Sequence, residues 1–210
     1  MKFYDMKMAP NPRRVRMFLA EKGISVESVQ VDILAGENQT PAYLAKNPRG
    51  LVPMLELDDG TVLDESVAIC RYFEELHPEP NLMGRTPLEK AQIESWQRRV
   101  EFDGVGAIAS IFRNVAPQFA GHAVPGVTET TEQIPALAER GALLIALFWR
   151  DLDARLGTSA YVAGDRFTIA DITAFICIEF AKWVKSTPGP EFANIARWYA
   201  EVSARPSAKA

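Results

Sequence analysis

Gly50-Leu51-Val52-Pro53-Met54-Leu55-Glu56-Leu57 is the stretch on which the reading of this chain turns, and Asp64-Glu65-Ser66 follows it at the head of an amphipathic run. Val-Pro directly ahead of a β-type run predicts a rigid turn, and X-Pro is the one linkage at which a cis peptide is cheap. A cis bond there turns the Val52 N–H and C=O out of the sheet, free to pair with an extended peptide. Thirteen residues after Pro53, Ser66 stands where a helix begins. Backbone N–H groups at such a start, together with the Ser66 hydroxyl, can hold a carboxylate. A strand-like edge beside an anion seat suits a small acidic peptide. The alternative is a buried turn followed by an ordinary helix cap.

On the N-terminal side of this stretch, residues 2 to 6 read as a strand, Asn11 as a helix cap and Pro12 as the first helical position. Val15, Phe18 and Leu19 recur at helical spacing, and Gly23 stops the run. Ser25 to Asp32, Met54 to Leu57 and Thr61 to Leu63 read as strands, the last two joined by a tight turn at Asp58-Asp59-Gly60. Tyr4 falls inside the first strand and reads as core. Ile69, Tyr72, Phe73 and Leu76 mark a helix. The predicted order is β-α-β, a loop, then β-β-α, which is a compact α/β unit.

From His77 to Pro87 the composition shifts to Pro, Glu, Asn, Gly and Arg without periodicity, as in a linker. Beyond it, Ile93, Trp96, Val100, Ile108, Ile111 and Phe112 run along one long helix. Leu144, Leu147, Phe148, Leu152 and Leu156 mark a second. Ile169, Ile172, Thr173, Ile176 and Phe180 mark a third, with a last helix near Glu191 to Ala204. No strand pattern interrupts them, so a helical bundle is expected. The predicted division is an α/β domain over 1–78, a linker over 79–87 and an all-helical domain over 88–210. Thr168-Ile169-Ala170-Asp171 carries both halves of a capping box, with Phe167 and Ile172 at the staple positions. That motif is structural.

Composition narrows the class further. The chain has 210 residues, 48% hydrophobic and 24% charged, with a formal charge of −4. That balance gives no general attraction for nucleic acid. No apolar run approaches the roughly 20 residues of a membrane span, and Met1-Lys2-Phe3-Tyr4-Asp5 lacks the apolar core of a secretory signal. Cys70 and Cys177 form neither a CxxC nor a zinc pattern, which fits buried thiols in a reducing compartment. The expectation is a cytoplasmic protein with no metal, no nucleic-acid partner and no membrane partner.

Four segments carry a resemblance: Asn11-Pro12-Arg13-Arg14-Val15-Arg16, Asn47-Pro48-Arg49-Gly50-Leu51-Val52-Pro53, Glu65-Ser66-Val67-Ala68-Ile69 and the run from Tyr161 to Asp171. Together they resemble the soluble glutathione transferase superfamily over almost the whole chain. Gly36-Glu37-Asn38, Thr86-Pro87-Leu88-Glu89-Lys90 and Tyr161-Val162-Ala163-Gly164-Asp165 resemble its atypical class, first described in yeast and common in bacteria. The resemblance implies a thioredoxin-like N-terminal domain, an all-helical C-terminal domain and a homodimer. It also implies conjugation of glutathione, as co-substrate, to small hydrophobic electrophiles in a detoxifying role. Val52, before a cis Pro53, would pair with the cysteinyl part. Glu65 would lie near the γ-glutamyl ammonium and Ser66 on its carboxylate. Asn38 lies where related classes place a polar residue for the glycyl carboxylate. Lys46 and Arg49 are charged helpers or plain surface charge. Leu51 departs from the pattern, because many relatives carry a polar side chain just before Val-Pro.

Conjugation needs the thiolate, since that is the nucleophile. A free thiol, with a pKa of about 8.5, is only a few per cent ionised near pH 7. Most classes supply a Tyr, Ser or Cys near the end of the first strand, and Met6-Lys7-Met8-Ala9-Pro10-Asn11-Pro12 has none. Asn11 can donate to a thiolate but cannot accept its proton. The adjoining helix adds its positive dipole end, and Arg13, Arg14 and Arg16 add positive charge in its first turns. Alternatively, Asn11 only caps that helix. The atypical class is held to use a water bound by a long helix of the second domain. Ser110-Ile111-Phe112-Arg113-Asn114-Val115 is the corresponding stretch. It lacks the histidine found there in the class and leaves Ser110, Arg113 and Asn114 as candidates. Met8, Phe112, Arg113, Phe119 and Trp183 are candidates for an electrophile pocket between the domains, or for core. The competing readings are another glutathione-dependent enzyme (isomerase, dehalogenase, reductase or peroxidase) and a non-catalytic binding or regulatory member of the fold.

Overall fold

Buried Phe3 and Asp5 alternate with more exposed Lys2 and Tyr4, and this period of two sets the first strand, β1 (Lys2–Asp5). The computed structural model describes residues 1–210 and divides into two units. One is Met1–Pro80 with Val124–Thr128 and Lys209–Ala210, and the other is Asn81–Ala123 with Glu129–Ala208.

The first unit is thioredoxin-like. Its sheet runs in the order β2 (Glu27–Gln30), β1, β3 (Met54–Glu56), β4 (Val62–Asp64), with β1 parallel to β2 and the other pairs antiparallel. A parallel neighbour demands a crossover, and α1 (Pro10–Lys22) supplies it, burying Val15, Met17, Phe18 and Leu19. Asn11 is not the cap. Ala9 holds that position without a side-chain bond, and Pro10 opens the helix. Pro10 and Pro12 both fit the first turn because the N–H each lacks would be an orphan there. Gly23, at φ 65°, closes the helix as expected, with the Ile24 N–H donating to the Leu19 carbonyl. β2 is shorter than predicted and largely exposed, as suits an edge. The short α2 (Pro41–Leu44) follows, then the β3–β4 hairpin, whose turn places Gly60 at φ 85°. α3 (Ser66–Leu76) packs Ile69, Cys70 and Phe73 inward.

In the second unit, α4 (Pro87–Arg99) begins at Thr86, whose hydroxyl accepts from the Glu89 N–H. The predicted long helix is continuous but not uniform. Six residues, Val100–Val105, form a π turn before α5 (Gly106–Val115) resumes. α6 (Pro135–Leu156) turns Gly141, Ile145, Phe148, Trp149, Leu152 and Leu156 inward. Leu144 and Leu147, expected on that face, are 40% and 38% exposed. The run from Ala142 to Trp149 is apolar on every side, so spacing alone leaves its rotation open. Close approach fixes it, since a Cβ on Gly141 would lie 2.7 Å from the Ala107 carbonyl oxygen. α7 (Ile169–Ala181) is buried on nearly all sides, and α8 (Ala193–Ser203) contributes Trp198 to the same core.

The cap of α7 is a fully satisfied polar centre. One Asp171 oxygen accepts from the Val162 N–H and Trp198 Nε1, each at 2.9 Å. The other accepts from the Thr168 N–H at 2.9 Å and the Thr168 hydroxyl at 3.2 Å. Burial pushes the carboxyl up to about 6 against the pull of these donors. No helix of the chain is long and apolar enough to cross a membrane.

Candidate active site

The β3–β4 register places the first unit's candidate residues together. Met54 pairs with Asp64 in an antiparallel ladder, so Val52, just before β3, and Ser66, just after β4, lie at the same end of the hairpin. The Val52–Pro53 bond is cis. Ahead of it, three side chains hold the loop by its carbonyls. Asn38 Nδ2 donates to Gly50 O at 2.7 Å, while the Tyr43 hydroxyl and Asn47 Nδ2 donate to Leu51 O at 2.7 and 2.9 Å. Gly50, at φ 60°, has no room for a Cβ, which would stand 2.9 Å from the Asn38 carbonyl oxygen. The Val52 side chain packs on Val31, Tyr43 and Met54. Its own N–H and C=O make no hydrogen bond within the chain.

Asn38 is buried, and one of its Nδ2 hydrogens is committed to the Gly50 carbonyl, so its side chain positions this loop.

Across from Val52, α3 opens with Glu65 at φ 62°, ψ 116°. This backbone region is strained for any residue with a Cβ, and such strain gathers at functional sites. The first intrahelical bond runs from the Ile69 N–H to Glu65 O, so the N–H groups of Ser66, Val67 and Ala68 point out of the helix end. Ser66 is buried, and its Oγ accepts from Arg14 at 2.7 Å. Because the oxygen accepts from the guanidinium, the hydroxyl proton is left to donate outward. From the sequence Arg14 reads only as positive charge near the start of α1, not as this contact. Arg14 is 2% exposed, and its place one turn before buried Phe18 was the available signal. Glu65 itself is exposed and bonds Arg49 at 2.8 Å. Such an exposed pair is worth little, so an incoming ammonium can replace Arg49. Lys46 is also at the surface, bound to Glu56 and the Tyr4 hydroxyl, each at 2.7 Å. That pairing draws the Tyr4 hydroxyl away from any role as a thiol partner.

Asn11 lies three residues before Arg14 on α1, about 4.5 Å along the axis. With proline on either side of it and the Arg13 N–H bonded to Ala9 O, Asn11 carries the one outward amide of this helix start, and its side chain is exposed. Met8, in the loop before it, is 65% exposed.

The second unit places Phe112, Phe119, Phe180 and Trp183 in one edge-to-face cluster, with ring centres 5.1 to 5.5 Å apart. Arg113 lies over the Phe119 ring at 4.7 Å. Ser110 and Asn114 already have partners within this unit. The Ser110 hydroxyl donates to Leu137 O, Asn114 Nδ2 donates to Ser110 O, and Asn114 Oδ1 accepts the Ile134 N–H at 2.8 Å. The first and last of these bonds tie α5 to the start of α6.

A thioredoxin-like unit with a cis-proline edge and a helix-tip anion seat, followed by an all-α unit, is the arrangement of a thiol-peptide enzyme. Known proteins agree. The family model for the glutathione S-transferase N-terminal domain matches residues 3–81, and that for the C-terminal domain matches residues 145–206. Glutathione S-transferase 2 of Saccharomyces cerevisiae is 37% identical over 98% of this chain and 87% of its own length. The solved structure of Gtt2 from the same yeast superposes with a TM-score of 0.91, at 36% identity over 100% of this chain and 99% of that one. A maleylacetoacetate isomerase of Rhizobium meliloti is 30% identical over 97% of this chain and 85% of its own length. The chain belongs to the glutathione S-transferase family. Within it, the chain falls in the yeast-type class and is a glutathione transferase.

Proposed function

We propose that this protein binds glutathione on the first unit and conjugates its thiolate to small hydrophobic electrophiles received by the second. Residues 1–78 form the glutathione-binding domain in this reading, and residues 88–210 carry the electrophile side, with Phe112 and Phe119 as its platform. The unpaired Val52 backbone, at the same end of the β3–β4 hairpin as the outward donors of Ser66, is the observation that carries the proposal. Val52 matches the main chain of the cysteinyl residue. Ser66, aimed by Arg14, holds the γ-glutamyl carboxylate through its hydroxyl and N–H. Glu65 takes the ammonium in place of Arg49. Asn11 donates from its amide and side chain to the sulfur, directly or through a water, and lowers the thiol pKa without accepting its proton. The working form is a homodimer. Calorimetry with reduced glutathione tests the seat, because Ser66→Ala removes one charge-assisted hydrogen bond and should weaken binding about tenfold or more. Equal affinity for both proteins would refute the anion seat. Failure of the wild type to turn over a chlorinated nitroaromatic, with glutathione binding intact, would favour the isomerase reading that the Rhizobium relative supports.

A further inference from the structure

Arg113 stands at the end of α5 as a half-buried cation with nothing in the chain to answer it. Its backbone carbonyl accepts from Gln133, but its guanidinium makes no ion pair and no hydrogen bond. Burial lowers its pKa, and no carboxylate contributes to the shift. Contact with the Phe119 face only partly offsets taking a guanidinium out of water without a partner. Phe112, Phe119, Phe180 and Trp183 form an aromatic wall beside it, and Trp183, 44% exposed, brings that wall to the surface. For a purely apolar ligand, an unmatched guanidinium at this place is a liability. For a flat ring with a carboxylate, the same fork of N–H donors has the geometry to bind it at two points.

We propose that this cluster is a subsite for aromatic electrophiles bearing a carboxylate, the ring lying on the Phe112–Phe119–Trp183 wall and the carboxylate on Arg113. The inference rests on the transferase reading and narrows its second substrate from hydrophobic to anionic and aromatic.

A matched pair tests it: 4-chloro-3-nitrobenzoate and the neutral 4-chloro-3-nitrobenzamide. In either reaction the glutathione thiolate attacks the ring carbon bearing chlorine. The C–S bond forms, the C–Cl bond breaks, chloride leaves and the thiol proton goes to solvent. The two rings differ in intrinsic reactivity, so the readout is the benzoate-to-benzamide ratio of kcat/KM in the wild type divided by that in Arg113→Gln. A factor of about 10 to 100 is expected for one charge-assisted pair, with Arg113→Lys between the two. Quenching of tryptophan fluorescence by unreactive 3-nitrobenzoate, against 3-nitrobenzamide, gives a binding readout that needs no chemistry and, on the wild type alone, no variant. A tenfold preference of the wild type for 3-nitrobenzoate supports the subsite, and equal binding of the two overturns it. An unchanged kcat/KM ratio in a folded Arg113→Gln protein overturns it as well. If 3-nitrobenzoate binds through Arg113 while neither chloroarene is turned over, the transferase reading fails and the subsite stands.

Discussion

Replacing Asp171 by Asn keeps the shape of the side chain and inverts half of its chemistry. The carboxylate takes four donors, two on each oxygen: Val162 N–H and Trp198 Nε1 on one, Thr168 N–H and hydroxyl on the other. An amide offers one oxygen and one NH2 group. Whichever way it turns, two donors face a donor in a fully buried site. The Thr168 hydroxyl can rotate to accept, whereas the three N–H groups cannot. One or two buried donors are thus orphaned, at about 1–3 kcal/mol each, giving a loss of roughly 2–5 kcal/mol against a typical stability of about 5–15 kcal/mol. Urea denaturation followed by tryptophan fluorescence measures it, with Trp198→Phe as the milder control that removes a single donor. A further sign test exists. The native Asp171 pKa, about 6, exceeds the unfolded value of 3.8, so the folded protein binds more protons between those values. Its contribution is greatest below the unfolded pKa and falls as pH rises through about 6. The amide of the Asp171→Asn variant cannot titrate, so the gap between the two proteins should narrow over that interval. A loss under about 1 kcal/mol would show the hub to be dispensable, and a gap that widens with pH would overturn the raised pKa.

Two other substitutions probe different links. Asn11→Ala should lower kcat about three- to tenfold while leaving the KM for glutathione alone, as expected for one neutral hydrogen bond to sulfur; no change would leave the backbone amide and bound water as the thiolate's partners. Gly141→Ala should destabilise the helical unit by about 1–3 kcal/mol despite better helix propensity, because the Cβ would meet the backbone of Ala107 at 2.7 Å. A melting temperature at or above the wild type's would mean that α5 and α6 separate without penalty.

Where one residue's neighbours in the chain decide its role, the sequence was readable. The cis Val52–Pro53 bond and the Thr168–Asp171 box are local matters of turn and cap chemistry, and both stand in the structure as expected. Asn38, Ser110 and Asn114 carry the right groups for a site, but their partners are carbonyls and an amide 12 to 27 residues away, apart from the Asn114 bond to Ser110 O within α5. Those partners are set by how loops close, which no spacing encodes. Arg14 could be read as charge but not as a buried positioning group, because the hydroxyl that receives it lies 52 residues on. The rotation of α6 was hidden by uniform hydrophobicity and is decided by a glycine's missing side chain. Glu65 was found as a helix start, yet its strained backbone has no signature in the residue itself.

The π turn at Val100–Val105 lets this long helix carry one residue more than α turns would. Were the same residues to relax to α geometry, everything downstream would swing by about 100°. Phe112 and Arg113 would then face another direction while Ile93 and Gln97 kept theirs. Deleting one residue together with the turn would instead leave that direction unchanged, so the bulge absorbs a change of length that the aromatic cluster never feels.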